Sequence, residues 1–239
     1  IALRSGQRVR LHGSGPPVLF SSGLFGSMPH WVYASLIRNL KSNLTVVTPE
    51  SIAPVTTETL EDACAGLGVD QMALLTHSSF DARILRSPLL RAAVVCDPIV
   101  FPQLASPPVL PTFVAPDVEC DAPILCVQAE RTYASTTGTS VPRYVIPRAR
   151  NLREVTIPNM GHADILDNTW AEVACSIFPF MEGLQAPAAS FSTWTPSSRA
   201  KRQRAVDRAR EAYRAQVARL VVDHLVVQTR DRIDLRKDS

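Results

Sequence analysis

The sequence predicts an α/β protein with an open, mostly parallel sheet, helices on both of its faces and one long helix at the end. Three observations predict this. Short apolar runs alternate with stretches of helical spacing through residues 1–182. A serine, an aspartate and a histidine fall, in that order, just after three of those runs. The segment Lys201–Asp234 contains no proline or glycine, and its apolar residues recur every three or four positions.

Taken in order, Val9–Leu11 and Val18–Ser21 are predicted strands separated by the turn His12-Gly13-Ser14-Gly15-Pro16. A glycine-bearing loop follows, Ser22-Gly23-Leu24-Phe25-Gly26-Ser27. Trp31, Ala34, Ser35, Ile37 and Arg38 then keep a helical register that ends near Lys41. Leu44–Thr48 is a compact strand, Thr57–Gly66 a helix, Met72–Leu75 a buried strand, Asp81–Arg86 helical and Ala92–Cys96 a strand. The proline-rich stretch Pro98–Pro116 fits neither a central strand nor a long helix. Ile124–Val127 and Leu152–Ile157 are strands, and Thr169–Phe178 is a helix. Apolar runs this short, alternating with helices, imply strands buried on both faces.

The expected organisation is a body over residues 1–182, a small-residue and proline linker over 183–198, and a basic amphipathic helix over 199–239. The stripe of that helix is Val206, Ala209, Tyr213, Val217, Leu220, His224 and Val227, which is too apolar for a solvated tail. It is expected to seat on protein, on a partner or back on the body, with another chain foremost. Arg202, Arg204, Arg208, Arg210, Arg214 and Arg219 would then face solvent, an acidic partner or lipid headgroups in a peripheral membrane contact.

Composition narrows the function classes. Hydrophobic residues make up 46% of the 239 and charged residues 20%, enough for a sizeable core. A net charge of +3 does not imply a nucleic-acid partner, although about half of the Lys and Arg lie beyond Ser197. Cys64, Cys96, Cys120, Cys126 and Cys175 are odd in number and form no CxxC pair, so buried thiols are expected rather than a zinc site or disulfide framework. Neither a metal nor a cofactor is implied. The chain begins at Ile1, which suggests removal of a presequence or a fragment.

In a parallel sheet, functional loops lie at the carboxyl ends of the strands. Three such ends carry Ser78 in Thr76-His77-Ser78-Ser79-Phe80, Asp97, and His162 in Asn159-Met160-Gly161-His162-Ala163-Asp164. A serine hydroxyl is a weak nucleophile. A histidine must take its proton, and a carboxylate must fix that histidine's tautomer. Glu130, after the strand that starts at Ile124, is an alternative acid. His77 is read as a neighbour of the nucleophile, and Asp164 and Asp167 as caps of the following helix.

With these residues in place, the chain over residues 8–182 resembles the α/β-hydrolase superfamily, and within it chlorophyllases and related dephytylating esterases. Gly15–Ser27 is similar to that superfamily's strand and oxyanion loop, His77-Ser78 to its nucleophile elbow, and Gly161-His162 to its histidine segment. Asp97-Pro98-Ile99-Val100 and Gly161-His162-Ala163-Asp164-Ile165-Leu166-Asp167 resemble segments of the chlorophyllase type. The resemblance implies an α/β-hydrolase fold, and hydrolysis of a long-chain alcohol ester of a tetrapyrrole in a plastid or other organelle. It also implies an oxyanion hole from the backbone N–H groups of Ser79 and the Leu24 region, and an apolar substrate under a lid from Ile99–Pro116. Two positions depart from the pattern. Phe80 stands where the elbow has a small residue and is expected to crowd it, and Ser22 replaces the histidine that usually opens the oxyanion loop. These departures motivate the alternative: a catalytically inactive hydrolase-fold subunit docked into a complex through its C-terminal helix.

Overall fold

The structure is a computed structural model of the chain, and it describes residues 1–23, 28–50, 55–78, 80–98, 119–131, 148–149, 151–177 and 196–235. Nine strands are described: β1 (Val9–His12), β2 (Pro17–Ser21), β3 (Thr45–Pro49), β4 (Met72–His77), β5 (Leu90–Cys96), β6 (Glu119–Cys120), β7 (Ile124–Ala129), β8 (Arg148–Ala149) and β9 (Leu152–Ile157). Among the described residues four α-helices accompany them: α1 (Ala34–Leu40), α2 (Thr57–Leu67), α3 (Asn168–Ile177) and α4 (Pro196–Leu235).

Seven strands form one sheet in the order β1-β3-β2-β4-β5-β7-β9. Only the edge strand β1 is antiparallel, paired with β3; β2, β4, β5, β7 and β9 run parallel to their neighbours. A separate pair, β6 and β8, is also parallel. The side-chain period of two sorts each central strand between two cores. Val18, Phe20, Ala73, Leu75, Val94 and Val127 face one side. Leu19, Met72, Leu74, Ala93, Val95 and Ile124 face the other. Burial on both faces is why these strands read as unbroken apolar runs.

The first core is covered by α1, α3 and α4, with Leu36, Ile37, Leu40, Ala171, Tyr213 and Val217 among its members. The second is covered by α2 through Leu60, Ala63 and Cys64. The start of α2 is set by Thr56, whose side chain accepts the N–H of Thr59, and its end by Gly68 in the left-handed region at φ 65°.

Several expectations are corrected. The segment after Ser78 is helical as expected, but as a short 3₁₀ turn, Ala82–Arg86, capped by Asp81, shortly before β5. A 3₁₀ turn, His30–Tyr33, also precedes α1. The long helix begins at Pro196, inside the expected linker, where proline suits a first turn. That helix does not stand apart from the body. It packs on α1, β5 and β7, and its Tyr213, Val217, Ala218, Val221 and Leu225 belong to the first core. The surface expected to meet another chain is therefore occupied by this chain's own sheet. Arg210 and Arg214, expected to point outward, are fully buried, whereas Arg204, Arg208 and Arg219 are exposed and Arg202 is half-buried. His224 and Leu220 lie at the margin, half-buried; the Val227 side chain lies outside the described residues, as do the lid stretch 99–116 and most of the linker. Cys64, Cys96, Cys120 and Cys126 are free and buried. No described helix is long and apolar enough to cross a membrane.

Candidate active site

Because the central strands are parallel, their carboxyl ends share one rim, and that rim collects Ser78, Asp97 and His162. β4 is buried along its whole length and delivers Ser78 immediately after its last residue. The Ser78 N–H still pairs with Cys96 O at 3.0 Å, so the sheet anchors the serine while the chain turns. Ser78 itself adopts φ 64°, a left-handed conformation unusual for a residue with a Cβ. Such a conformation costs about 1–3 kcal/mol and persists only when its surroundings enforce it. Here it turns the hydroxyl up from the rim and toward the loop after β9.

That loop carries His162. Its Nε2 lies 3.0 Å from Ser78 Oγ, and its Nδ1 lies 2.5 Å from Asp97 Oδ2. The geometry calls for the tautomer in which Nδ1–H donates to the carboxylate, leaving Nε2 to accept the serine proton. Asp97 is held in turn: Oδ1 accepts the Ala129 N–H at 2.9 Å, and the Asp97 N–H reaches Val127 O. Asp97 also adopts a positive φ, 46°. Serine, imidazole and carboxylate are each at least 97% buried among protein, which strengthens the charge–dipole interactions between them.

Glu130 does not share this arrangement. It is exposed, and its Oε2 accepts the Asn159 N–H at 2.7 Å. With Arg131 N–H bonded to Met160 O, Glu130 ties the loop after β7 to the loop after β9. The alternative acid is thus corrected to a loop tie, since the His162 Nδ1 is already taken by Asp97. The oxyanion candidates Leu24 and Ser79 lie outside the described residues.

Phe80 does not crowd the elbow. Its ring lies in the second core beside the 3₁₀ turn, 5% exposed. A helix starting at this point would bring its first turn close to the preceding strand and call for a small residue. The turn is used here instead, and it leaves room for the ring. Thr76 is fully buried within β4, between its ladder partners Ser21 and Val95.

A second network was not foreseen. His77 is buried beside the triad and stacks on His162, with ring centroids 4.5 Å apart. Its Nε2 bonds the His162 carbonyl oxygen at 3.2 Å, and its Nδ1 lies 2.8 Å from Tyr33 Oη. The Gly23 N–H donates to that same Tyr33 oxygen at 2.9 Å. A Cβ at Gly23 would lie 2.9 Å from Tyr33 Oη and 3.3 Å from His77 Nδ1, so glycine is what lets the chain approach. Burial and the neighbouring His162 hold the His77 imidazole well below its ordinary value, so the ring is neutral. Neutral His77 donates from Nε2 and accepts the Tyr33 proton at Nδ1. The oxyanion-loop strand end is thereby wired to the backbone of the histidine loop. The signal available in sequence was only the adjacency of His77 to Ser78.

Asp164 and Asp167 do more than cap the following helix. Asp167 stands directly before α3, where its carbonyl oxygen accepts the N–H groups of Trp170 and Ala171, whereas Asp164 belongs to the 3₁₀ turn His162–Ile165. Asp164 Oδ2 accepts the Gly161 N–H at 2.9 Å and Oδ1 accepts Arg210 Nε at 2.9 Å, with no exposed surface. Asp167 Oδ1 accepts the Ser35 N–H, one of the unpaired donors at the start of α1. Among the described residues no group of three or more His, Cys, Asp or Glu side chains is arranged to hold a metal ion.

A mostly parallel sheet in this strand order, with serine, aspartate and histidine at its carboxyl rim in that chain order, is the α/β-hydrolase fold. No family model matches the chain, and no curated protein matches it. Among solved structures it is similar to an α/β hydrolase family protein from Desulfitobacterium hafniense, with 14% identity, a TM-score of 0.49, and coverage of 73% of this chain and 100% of that one. It is also similar to a thermophilic esterase from Thermogutta terrifontis, with 13% identity, a TM-score of 0.49, and 76% and 98% coverage. A third similar structure is an α/β hydrolase from Sphaerobacter thermophilus, with 15% identity, a TM-score of 0.45, and 76% and 99% coverage.

Proposed function

We propose that this protein is a serine-type carboxylic ester hydrolase. The observation that carries the proposal is the unbroken chain Asp97–His162–Ser78, with a serine held at positive φ at the strand end. In that reaction Ser78 Oγ attacks the ester carbonyl while its proton passes to His162 Nε2. The imidazolium so formed is stabilised by Asp97 through Nδ1–H. Backbone N–H groups of Ser79 and Leu24 would receive the oxyanion. Collapse of the tetrahedral intermediate expels the alcohol, which takes the proton from His162 and leaves an acyl-serine. Water, deprotonated by the same imidazole, then releases the acid and restores Ser78.

The proposed substrate class is an ester with a long apolar alcohol, of the kind cleaved by chlorophyllases. Its support is the resemblance of Asp97-Pro98-Ile99-Val100 and Gly161–Asp167. Placement in a plastid, and peripheral contact with a membrane that holds such esters, belong to the same proposal.

A fluorophosphonate probe tests the activity directly. It should label the wild-type protein and leave Ser78→Ala unlabelled, with Ser78→Ala folded and without ester turnover. A panel of short-chain nitrophenyl esters, long-chain esters and a phytyl tetrapyrrole ester then sets the class. Absence of labelling in the folded wild-type protein would favour the inactive, assembly-type alternative.

A further inference from the structure

We infer that the C-terminal helix is a brace for the catalytic histidine, acting through Arg210 and Arg214. The inference rests on the triad reading above and extends it to a helix that contributes nothing to the triad itself.

His162 opens a 3₁₀ turn, His162–Ile165, in a loop between β9 and α3. Both ends of that turn are bonded to α4. At the front, Arg210 Nε donates to Asp164 Oδ1, and the other oxygen of Asp164 accepts the N–H of Gly161, the residue directly before His162. At the back, Arg214 Nη1 donates to Leu166 O at 2.7 Å and Nη2 to Asn168 Oδ1 at 2.9 Å. The two arginines are about one helical turn apart and lie on the same face of α4. Tyr213, between them, is buried in the first core and anchors this stretch of α4 on the sheet.

A helix whose task was only to cover apolar surface would not need this. Two guanidinium groups at 1% exposure carry a large desolvation cost, and apolar residues of similar volume often replace buried ion pairs without loss of stability. What charged donors add is direction. They fix a carboxylate and a carbonyl at defined positions, and those positions set where the His162 ring stands relative to Ser78 and Asp97. A displacement of 1 Å in such a group can lower a rate by up to about a hundredfold. Arg210 and Arg214 are therefore positioning residues; neither touches the reacting atoms.

The test uses the full chain and three variants: Arg210→Met, Arg210→Lys, and the double variant Arg210→Gln with Asp164→Asn. The double variant removes both buried charges but keeps amide partners, and it is read in place of Arg210→Met if that protein does not fold. Two quantities are measured: kcat and KM on a nitrophenyl ester, and the low-field NMR resonance of the His162 Nδ1–H. Arg210→Met should lower kcat roughly tenfold to a hundredfold with little change in KM. Its Nδ1–H resonance should shift or broaden, and Arg210→Lys should recover part of both. A folded Arg210→Met or double variant with wild-type kcat and an unchanged resonance overturns the inference. The resonance is readable without turnover. Absence of esterase activity in the wild type would thus sink the proposed function, whereas an unmoved resonance would sink the brace.

Discussion

The two faces of the sheet support the candidate site by different means. On the α2 face, the segment after Ser78 rests mainly on apolar packing: Phe80, Ala82, Ile84 and Leu85 lie among Leu19, Leu60 and Val95. On the α4 face, the loop that carries His162 is held by buried charges, with Arg210 on Asp164 and Arg214 on Leu166 O. In the proposed reaction Ser78 needs one strained backbone conformation, which packing and a β-ladder can enforce. His162 in turn needs a ring orientation good to a fraction of an ångström, and directional bonds to its loop supply that beside the stacked His77 ring at the end of β4. Damage to the first face should therefore appear mainly as lost stability, and damage to the second mainly as lost rate.

The largest effect that would sharpen this contrast is expected at Asp97. Asp97→Asn offers an amide where the His162 Nδ1–H needs an acceptor, and favours the wrong tautomer. In the serine-protease triad the equivalent change lowers kcat about 10⁴-fold, and a loss of that order is expected here in ester turnover, with melting little changed. Turnover within tenfold of wild type would remove Asp97 from the site.

Phe80→Ala is the matching change on the apolar face. Removing a buried phenylalanine costs about 3–5 kcal/mol, measured by urea denaturation, while kcat of the folded fraction should stay near wild type. A large fall in kcat with unchanged stability would break the contrast between the faces.

A smaller effect concerns pH. The imidazoles of His12, His30, His77 and His224 are all shifted downward, each chiefly by burial, from an ordinary value of 6.5. The folded protein therefore binds fewer protons than the unfolded chain as pH falls through that value. Stability should be fullest above pH 6.5 and decline below it. His77→Gln should flatten this decline, as read by denaturation at a series of pH values. A decline as steep as that of the wild type would place the effect on other groups.

The smallest effect is expected at Glu130→Gln. The exposed side chain only ties a loop, so stability should change by about 0.5 kcal/mol or less and kcat hardly at all. A loss of turnover comparable to that of Asp97→Asn would reassign the acid.

The sequence by itself determined the sheet and the order of the site. Unbroken apolar runs such as Met72–Leu75 and Ala92–Cys96 are dictated by burial on both faces, and chain order alone places Ser78, Asp97 and His162 at strand ends. Tertiary structure decided the rest, for reasons that local pattern does not encode. An apolar stripe on a helix says that a face is buried but not against what, so the destination of α4 was open until the α1 face of the sheet received it. An arginine counts as polar in any stripe. The buried face of α4 accordingly read as Val206, Ala209, Tyr213 and Val217, when it is in fact centred on Arg210, Tyr213, Arg214, Val217 and Val221. The signal was present, since both arginines keep the three- and four-residue spacing of Tyr213 and Val217, but their partners Asp164 and Leu166 O lie more than forty residues away. Phe80 looked incompatible with an elbow because the motif assumes a helix after the serine, and only the fold shows a short 3₁₀ turn there instead. The choice of Asp97 over Glu130 was likewise a matter of ångströms: both follow strands at the same rim, and three-dimensional geometry puts one against His162 and the other on Asn159.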